Sequence, residues 1–179
     1  MGFLRNREAG SRAETDRRMM ARCVELGRQA AREGEYPFGS LIAFGDEIIA
    51  EGANQTKREK DESRHAEIIA IAAARRLGKT SLRECTLYST VEPCPMCSFC
   101  IRSAGVGRVV FALASPIMGG MSRWDILRDR TMALRLPFLF GPAPEIVSGI
   151  GAEDAQRMWS HWNPLAWQAI KRIGFFVKP

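Results

Sequence analysis

Residues 86–113 predict a strand, a helix and a second strand in direct succession, and this unit constrains the fold more than any other segment. Thr86–Val91 is rich in β-branched residues and is followed by Pro93, which cannot continue a strand. Cys94–Ala104 is typical of a helix, and Val106–Leu113 is an almost unbroken apolar run, as in a parallel strand buried on both faces. A right-handed strand–helix–strand crossover is therefore expected.

The rest of the chain alternates between helical and strand patterns, without an internal repeat or a linker. Short apolar strands over 40–44 and 47–50 are joined by Gly45-Asp46, which is typical of a hairpin. The other predicted elements are helices over 13–33, 65–77 and 122–130, a weak strand over 145–148, and one or two helices over 153–173 that are interrupted at Asn163-Pro164. This order predicts one layered α/β domain over 1–179, with helices on both faces of a mixed sheet. Residues 1–12 are expected to be flexible, and 153–179 to form a C-terminal helical segment.

Composition limits the class of protein. The 179 residues, 46% hydrophobic and 26% charged, suit a single globular domain with a sizeable core. No apolar run approaches the length of a membrane span, and the polar residues 1–10 do not resemble a secretory signal. We therefore expect a cytoplasmic protein without membrane contact. Three of the five cysteines fall within residues 94–100, which favours a metal site or reduced thiols over disulfides.

The net charge of +6 is concentrated between residues 102 and 135, where six arginines and two aspartates give +4. Two interpretations are open. The arginines form an ordinary solvated surface, or they form a patch that attracts anionic substrate groups or an RNA backbone.

Two short motifs carry the chemistry, and each begins a predicted helix. The first is His65-Ala66-Glu67, and the second is Pro93-Cys94-Pro95-Met96-Cys97. Cysteines three residues apart lie on one face of a helical first turn, where the helix dipole favours thiolates. With His65 they provide three ligands for Zn²⁺ and leave a fourth position for water, as in catalytic zinc sites. Glu67 is expected beside the metal, where it takes a proton from water whose pKa zinc lowers to about 7.

Alternative interpretations of these residues need consideration. Cys100 or Cys85 as a fourth ligand would close the site and make it structural. However, Cys100 lies roughly 9 Å along the helix axis from Cys94, which favours a core thiol. A redox pair of cysteines gives no reason for the His-Ala-Glu motif. His161 lies among Trp159, Trp162 and Trp167, and packing or an oligomer contact is the preferred role.

The two motifs, His65-Ala66-Glu67-Ile68 and Glu92-Pro93-Cys94-Pro95-Met96-Cys97, resemble those of the cytidine/deoxycytidylate deaminase superfamily. The resemblance covers roughly residues 15–160 and is closest to the branch of guanine deaminases and tRNA adenosine deaminases. It implies a three-layer α/β/α fold with a five-stranded mixed sheet and one Zn²⁺ per subunit. It also implies a homodimer with active sites near the interface.

Further segments bear on the substrate. Gly52-Ala53-Asn54 resembles the family's Gly-x-Asn, whose Asn amide hydrogen-bonds the base, although Asn54 also suits a plain turn. Pro37-Phe38-Gly39 resembles the free-base enzymes, in which an aromatic ring stacks on a heterocycle, although Phe38 also suits a core. The Pro95-Met96 pair and the Trp-rich C-terminus resemble the guanine branch as well.

Two segments depart from the family pattern. Residues 98–101, Ser-Phe-Cys-Ile, replace small residues and Gly, so that Phe99 narrows the pocket or packs behind it. The loop over 115–121 is apolar where relatives carry acidic substrate contacts. Asp125 is the first carboxylate after it, and is a candidate substrate contact or a charge at a helix N-terminus.

The leading hypothesis is a zinc-dependent deaminase of a free amino-heterocycle, namely a guanine-like purine, pterin, triazine or cytosine-type base. The alternative is a tRNA-specific adenosine deaminase that converts an anticodon adenosine to inosine. A third hypothesis, a zinc-stabilised binding module without activity, gives Glu67 no role.

Overall fold

The computed structural model describes residues 2–78 and 81–179, with side chains from Ser11 onward. Its helices are α1 (Gly2–Arg32), α2 (Thr56–Glu59), α3 (Ala66–Arg76), α4 (Pro95–Ala104), α5 (Arg130–Arg135), α6 (Ala152–Trp162) and α7 (Pro164–Arg172). Its strands are β1 (Gly39–Phe44), β2 (Glu47–Ala53), β3 (Cys85–Val91), β4 (Arg108–Leu113) and β5 (Glu145–Ser148). Within these ranges, no helix combines the length and apolarity that a membrane span requires.

The five strands form one sheet in the order β2-β1-β3-β4-β5. Strand β1 is antiparallel to β2 and β3, whereas β3, β4 and β5 are parallel to one another. Every residue of β4 is buried, as its unbroken apolar sequence predicts. The mixed five-stranded sheet and the β3–α4–β4 unit are thus confirmed.

Alternate residues along the strands face two separate apolar clusters, one on each side of the sheet. One cluster packs α1 and α6 against the sheet through Met19, Met20, Cys23, Leu41, Tyr88, Val110, Met158 and Trp159. The other packs α3 and α4 through Ile42, Ala70, Ala74, Leu87, Ile101, Val109 and Phe111. These two clusters confirm the predicted α/β/α layering.

The predicted helix over 122–130 is wrong. The chain turns there, Asp125 has a positive φ of 55°, and the helix nearby is α5, which begins after Asp129. Buried Arg102 explains the difference, because its Nη1 donates to the carbonyls of Ile126 at 2.8 Å and Asp129 at 2.7 Å. Carbonyls held by a distant guanidinium are satisfied without a helical hydrogen-bond ladder.

Helix α1 begins at Gly2, well before the predicted start at residue 13. Residues 1–12 are predicted to be flexible, but the side chains of residues 1–10 lie outside the described part of the chain, so this stays a prediction.

The C-terminal segment packs against the sheet and reaches its central strands. The predicted break lies at Asn163, whose Oδ1 accepts from the Ala166 N–H at 3.0 Å and caps α7. After α7 the chain turns back, and Val177 forms an antiparallel bridge with Ala114 through two backbone hydrogen bonds of 2.8 and 2.9 Å. The bridge holds the tail beside the end of β4.

Candidate active site

The two motifs meet where α3 and α4 begin. His65 is the residue before α3, and Cys94 is the residue before α4. His65 Nδ1 lies 3.6 Å from Cys94 Sγ and 3.4 Å from Cys97 Sγ. The three ligand atoms all lie within 4.8 Å of one another, and they are the only such group of His, Cys, Asp and Glu among the described residues.

This cluster fits a tetrahedral zinc ion. Zn–S bonds of about 2.3 Å and Zn–N bonds of about 2.0–2.1 Å at tetrahedral angles separate nitrogen and sulfur by about 3.6 Å. The measured separations of 3.4 and 3.6 Å agree with that value. Neither Cys85 nor Cys100 belongs to the group, so the described residues offer three ligands and not a closed set of four.

The hydrogen bonds within the cluster favour a thiolate at Cys94. A hydrogen bond with Cys97, and then one with His65, lower the pKa of Cys94 to about 4 despite its burial. The same bond to Cys94, together with burial, raises the pKa of Cys97. The hydrogen bond with Cys94 also raises the pKa of His65. Zinc held by these three atoms requires both sulfurs as thiolates and the His65 ring nitrogen without a proton.

Glu67 lies in the first turn of α3, beside the cluster but outside it. Its Oε1 accepts from Ser89 Oγ at 2.8 Å, and Cys97 Sγ lies 3.5 Å from its Oε2. Only 5% of Glu67 is exposed, and burial followed by the negative charge at Cys94 raises the pKa of its carboxyl group. The carboxylate is therefore fixed in orientation and suited to exchange a proton with a group near the metal.

The amide nitrogen of Asn54 is held by two neighbouring side chains. Its Nδ2 donates to Glu35 Oε2 at 3.0 Å and to Thr56 Oγ1 at 2.9 Å. Buried Glu35 also accepts the N–H groups of Lys57 and Arg58, and these bonds, although opposed by burial, lower the pKa of Glu35. With both amide hydrogens engaged, Asn54 has its Oδ1 left to accept a hydrogen bond from a ligand.

Glu92 organises the loop over residues 115–122. Its two carboxylate oxygens accept the N–H groups of Ser115, Met121 and Ser122, and also Ser122 Oγ, at 2.6–2.9 Å. Gly119 packs on the same carboxylate, and a Cβ there would lie 2.1 Å from Glu92 Oε1. The loop that departs from the family pattern is thus held by the residue that precedes the Pro-Cys motif.

A pocket of about 610 Å³ joins these groups to the C-terminal segment. It is lined by Tyr36, Phe38, Asn54, Thr56, Glu62, His65, Glu67, Val91, Glu92, Cys94, Ser115, Met118, Trp159, Trp162, Ala166, Ile170, Ile173, Phe175 and Phe176. No Lys or Arg is among these lining residues. Two polar atoms of the lining residues, Ser115 Oγ and Trp159 Nε1, are buried and have no hydrogen-bond partner within the described ranges.

Of the predicted substrate contacts, the structure brings Asn54 and Phe38 into this pocket but not Asp125. Phe38 packs edge-on against Trp159, with ring centroids 5.1 Å apart. Asp125 has an exposed side chain that pairs with Arg128 at 2.8 Å, so its role as a substrate contact stays an untested prediction. Phe99 is 51% exposed and is not among the lining residues.

Cys100 and His161 lie outside the pocket. Cys100 packs against the α3–α4 side of the core. His161 is exposed, and its Nδ1 lies 2.7 Å from the Arg157 carbonyl oxygen.

Comparison with known proteins agrees with this geometry. Residues 13–113 match the cytidine and deoxycytidylate deaminase zinc-binding region, and they make up more than half of the chain. The chain belongs to this deaminase family. His65, Cys94 and Cys97 all lie inside the matched zinc-binding region.

Three similar proteins illustrate the range of similarity. The chain is 34% identical over 146 residues to the tRNA-specific adenosine deaminase of Bacillus subtilis, covering 81% of this chain and 86% of that protein. It is 35% identical over 144 residues to a tRNA(Ile)-lysidine synthase of Deinococcus deserti, and this alignment covers 78% of this chain. It spans only 25% of that much longer relative. The X-ray structure of guanine deaminase from Bacillus subtilis superposes with a TM-score of 0.52 and 37% identity, over 54% of this chain and 63% of the other.

Proposed function

We propose that this chain is a zinc-dependent hydrolytic deaminase of a free amino-heterocycle, such as a guanine-like purine, a pterin, a triazine or a cytosine-type base. It replaces the exocyclic amino group with a carbonyl and releases ammonia. The observation that carries the choice of a free heterocycle is the pocket wall, which is aromatic and contains no Lys or Arg among its lining residues. Such a wall suits a neutral ring and offers no counter-charge to a phosphate.

In this proposal His65 Nδ1, Cys94 Sγ and Cys97 Sγ hold one Zn²⁺ per subunit. Zinc bound there supplies a water of lowered pKa at neutral pH. Glu67 takes one proton from water and gives it to the ring nitrogen beside the reacting carbon. It then takes the second proton from the hydroxyl group added to that carbon and gives it to the departing amine. A C–O bond forms, the C–N bond breaks, and water plus the heterocyclic amine give the carbonyl product plus ammonia.

Asn54 and Phe38 are the proposed substrate contacts. Asn54 Oδ1 accepts a hydrogen bond from a ring N–H or amino group, because Glu35 and Thr56 engage its Nδ2. Phe38 is half-buried in the pocket wall and offers a ring against the heterocycle.

The second candidate is an anticodon adenosine in tRNA. It is favoured by the relatives, since the proteins from Bacillus subtilis and Aquifex aeolicus that are named tRNA-specific adenosine deaminase share 34% and 36% identity with this chain. The arginines over 102–135 support it less than their number implies. Arg102 is buried against carbonyls, Arg108 is buried against Asp16, and Arg128 pairs with Asp125.

A panel assay of ammonia release tests the substrate class. It contains guanine, cytosine, a pterin, an amino-triazine, the matching nucleosides and an anticodon stem-loop, each with zinc-loaded protein. We expect turnover of at least one free heterocycle and none of the stem-loop. Turnover of the stem-loop alone would replace the first proposal with the second.

We also propose a cytoplasmic homodimer. Helices α4 and α5 and the following loop expose Met96, Phe99, Leu134, Leu136, Phe138 and Leu139. Phe99 and Phe140 pack edge-on at 5.0 Å and join the helix to the loop. Apolar surface of this kind favours association. Light scattering should give twice the monomer mass, and a Phe138→Ser variant should lower it, whereas a monomeric parent protein would contradict the proposal.

A further inference from the structure

The pocket has two chemically different halves. One half is polar and follows β2, β3 and β4, includes α2 and the loop after it, and reaches the beginnings of α3 and α4. Its side chains are those of Asn54, Thr56, Glu62, His65, Glu67, Glu92, Cys94 and Ser115. The other half is formed by Trp159, Trp162, Ala166, Ile170, Ile173, Phe175 and Phe176 of the C-terminal segment. We call this second set the C-terminal wall. It contains no charged residue.

The pocket is larger than an unsubstituted heterocycle requires. Its volume is about 610 Å³. Even at the liquid-water share of about 30 Å³ per heavy atom, a purine of about eleven heavy atoms fills only about half of that space. Pockets of about 300–1,000 Å³ usually bury larger, drug-sized ligands. A ring placed beside Glu67 would fill the polar half of the pocket. It would leave the half-buried and exposed side chains of the C-terminal wall without a ligand contact.

The C-terminal wall is held in place by side-chain packing and by a backbone bridge. Trp159 and Phe176 are 2% and 5% exposed, and their rings lie 5.1 Å apart. Trp162 packs edge-on against Trp159 at 5.4 Å and against Tyr36 at 5.7 Å. The bridge between Val177 and Ala114 anchors the tail that carries Phe175 and Phe176. The remaining members of the wall are half-buried or exposed, namely Trp162, Ala166, Ile170, Ile173 and Phe175. They stay in contact with water unless an apolar ligand group covers them, because collapse would break this packing.

We propose that the natural substrate is an amino-heterocycle that carries an apolar substituent, aryl or branched alkyl, which lies against the C-terminal wall. This inference rests on the proposed deaminase function and adds the substrate class. The ring is oriented by Asn54 beside Glu67, and the substituent is buried by Trp162, Ile173 and their neighbours. The absence of Lys and Arg from the lining residues disfavours a sugar phosphate in the same position.

A matched series of 2,4-diamino-1,3,5-triazines tests this proposal. The group at carbon 6 is hydrogen, methyl, phenyl or carboxylate, and guanine is paired with 8-phenylguanine as a second scaffold. The readout is kcat/KM for ammonia release by the zinc-loaded protein. We expect the phenyl compound to exceed the hydrogen compound by about 10- to 100-fold, the effect of burying an aromatic group. The carboxylate compound should not exceed the hydrogen compound.

Variants locate the effect in the C-terminal wall. Trp162→Ala should reduce the phenyl-to-hydrogen ratio of kcat/KM by about fivefold or more, because it removes a ring that the substituent contacts. Ile173→Asp changes a 60% exposed wall residue and should reduce the ratio as well, with less effect on folding. Trp124→Ala is the matched control, since Trp124 is 54% exposed and is not a lining residue. Zinc content and thermal unfolding show whether each variant is folded.

The outcomes separate the two proposals. Equal or better turnover of the hydrogen compounds by the parent protein overturns the substituent proposal and leaves the deaminase proposal intact. A phenyl preference that both wall variants retain also overturns it, because the C-terminal wall is then not the binding surface. Turnover of the stem-loop alone overturns the proposed function and this inference with it. Turnover of nothing in the series overturns this inference, and the wider panel of free heterocycles then decides the proposed function.

Discussion

The two halves of the pocket are built in different ways. The polar half contains the candidate zinc ligands and comes from two short motifs. These motifs lie where α3 and α4 begin, and they bring His65, Cys94 and Cys97 together. The C-terminal wall comes from α6, α7 and the tail, which reach the site only because they pack on the sheet face and pair with Ala114. In the function proposed above, local motifs supply the groups for the reaction, while long-range packing forms the surface that selects the substrate.

The largest expected effect on activity concerns the candidate zinc ligands in the polar half of the pocket. Cys97→Ser should release zinc and reduce deamination to the level of metal-free protein, because a hydroxyl is a poor zinc ligand. Cys100→Ser, on the same helix, should keep one zinc per chain and near-parental activity. Metal analysis by mass spectrometry and ammonia release measure both. Loss of zinc in Cys100→Ser would mean that the site is closed by four protein ligands.

The next effect separates metal binding from proton transfer. Glu67→Gln should keep zinc but lower kcat by about 10²–10⁴-fold, because an amide cannot carry a proton between water and the ring. The control is Glu84→Gln, which changes an exposed carboxylate outside the site and should leave kcat unchanged. Parental turnover by a zinc-loaded Glu67→Gln protein would falsify the assigned role.

A smaller effect is expected at the support of Asn54. Glu35→Gln places an amide where a carboxylate accepts three N–H groups, so one donor loses its acceptor. We expect KM to rise about tenfold, which corresponds to about 1.4 kcal/mol, with a smaller change in kcat. Glu33→Gln is the matched control, because exposed Glu33 forms an ion pair with Arg58 and does not line the pocket. An unchanged KM with a lowered unfolding temperature would show that Glu35 stabilises the fold but does not position Asn54 for the substrate.

The smallest expected effect tests how the tail is attached. Val177→Pro removes the N–H that donates to the Ala114 carbonyl at 2.9 Å. We expect a loss of about 0.5–1.5 kcal/mol of stability, or a few degrees in Tm, and a lower preference for apolar substituents. Lys178→Ala removes the ion pair with Glu153 and should leave that preference unaltered. If Val177→Pro keeps the preference, the bridge does not position the C-terminal wall.

Periodicity in the sequence was sufficient to predict most of the fold. The strands β1–β5, the helices α3 and α4 and the break at Asn163 were predicted within a few residues, because each has a local pattern of apolar residues or a Gly or Pro at its end. The helix over 122–130 was wrong because Arg102, distant in sequence, takes the carbonyl groups of that segment. No local pattern reports such a contact.

The supporting residues of the site were missed. Ser89 orients Glu67, Glu35 holds Asn54, and Glu92 holds the loop over 115–122. Glu92 carried a signal, since it directly precedes the Pro-Cys motif, and a polar residue in an apolar strand was a weak signal for Ser89. Glu35 carried none, because an acidic residue after Gly34 is typical of a solvated turn.

The sequence by itself determined the family, the three candidate zinc ligands and the candidate proton carrier, because ligation needs particular atoms at a spacing that one helical turn provides. Only the tertiary structure decided what surrounds them. It buried Arg102 and Arg108 and so removed two cations from the arginine-rich surface. It also brought the Trp-rich C-terminus to the mouth of the pocket, because apolar surface gains free energy by burial against whichever face is left uncovered.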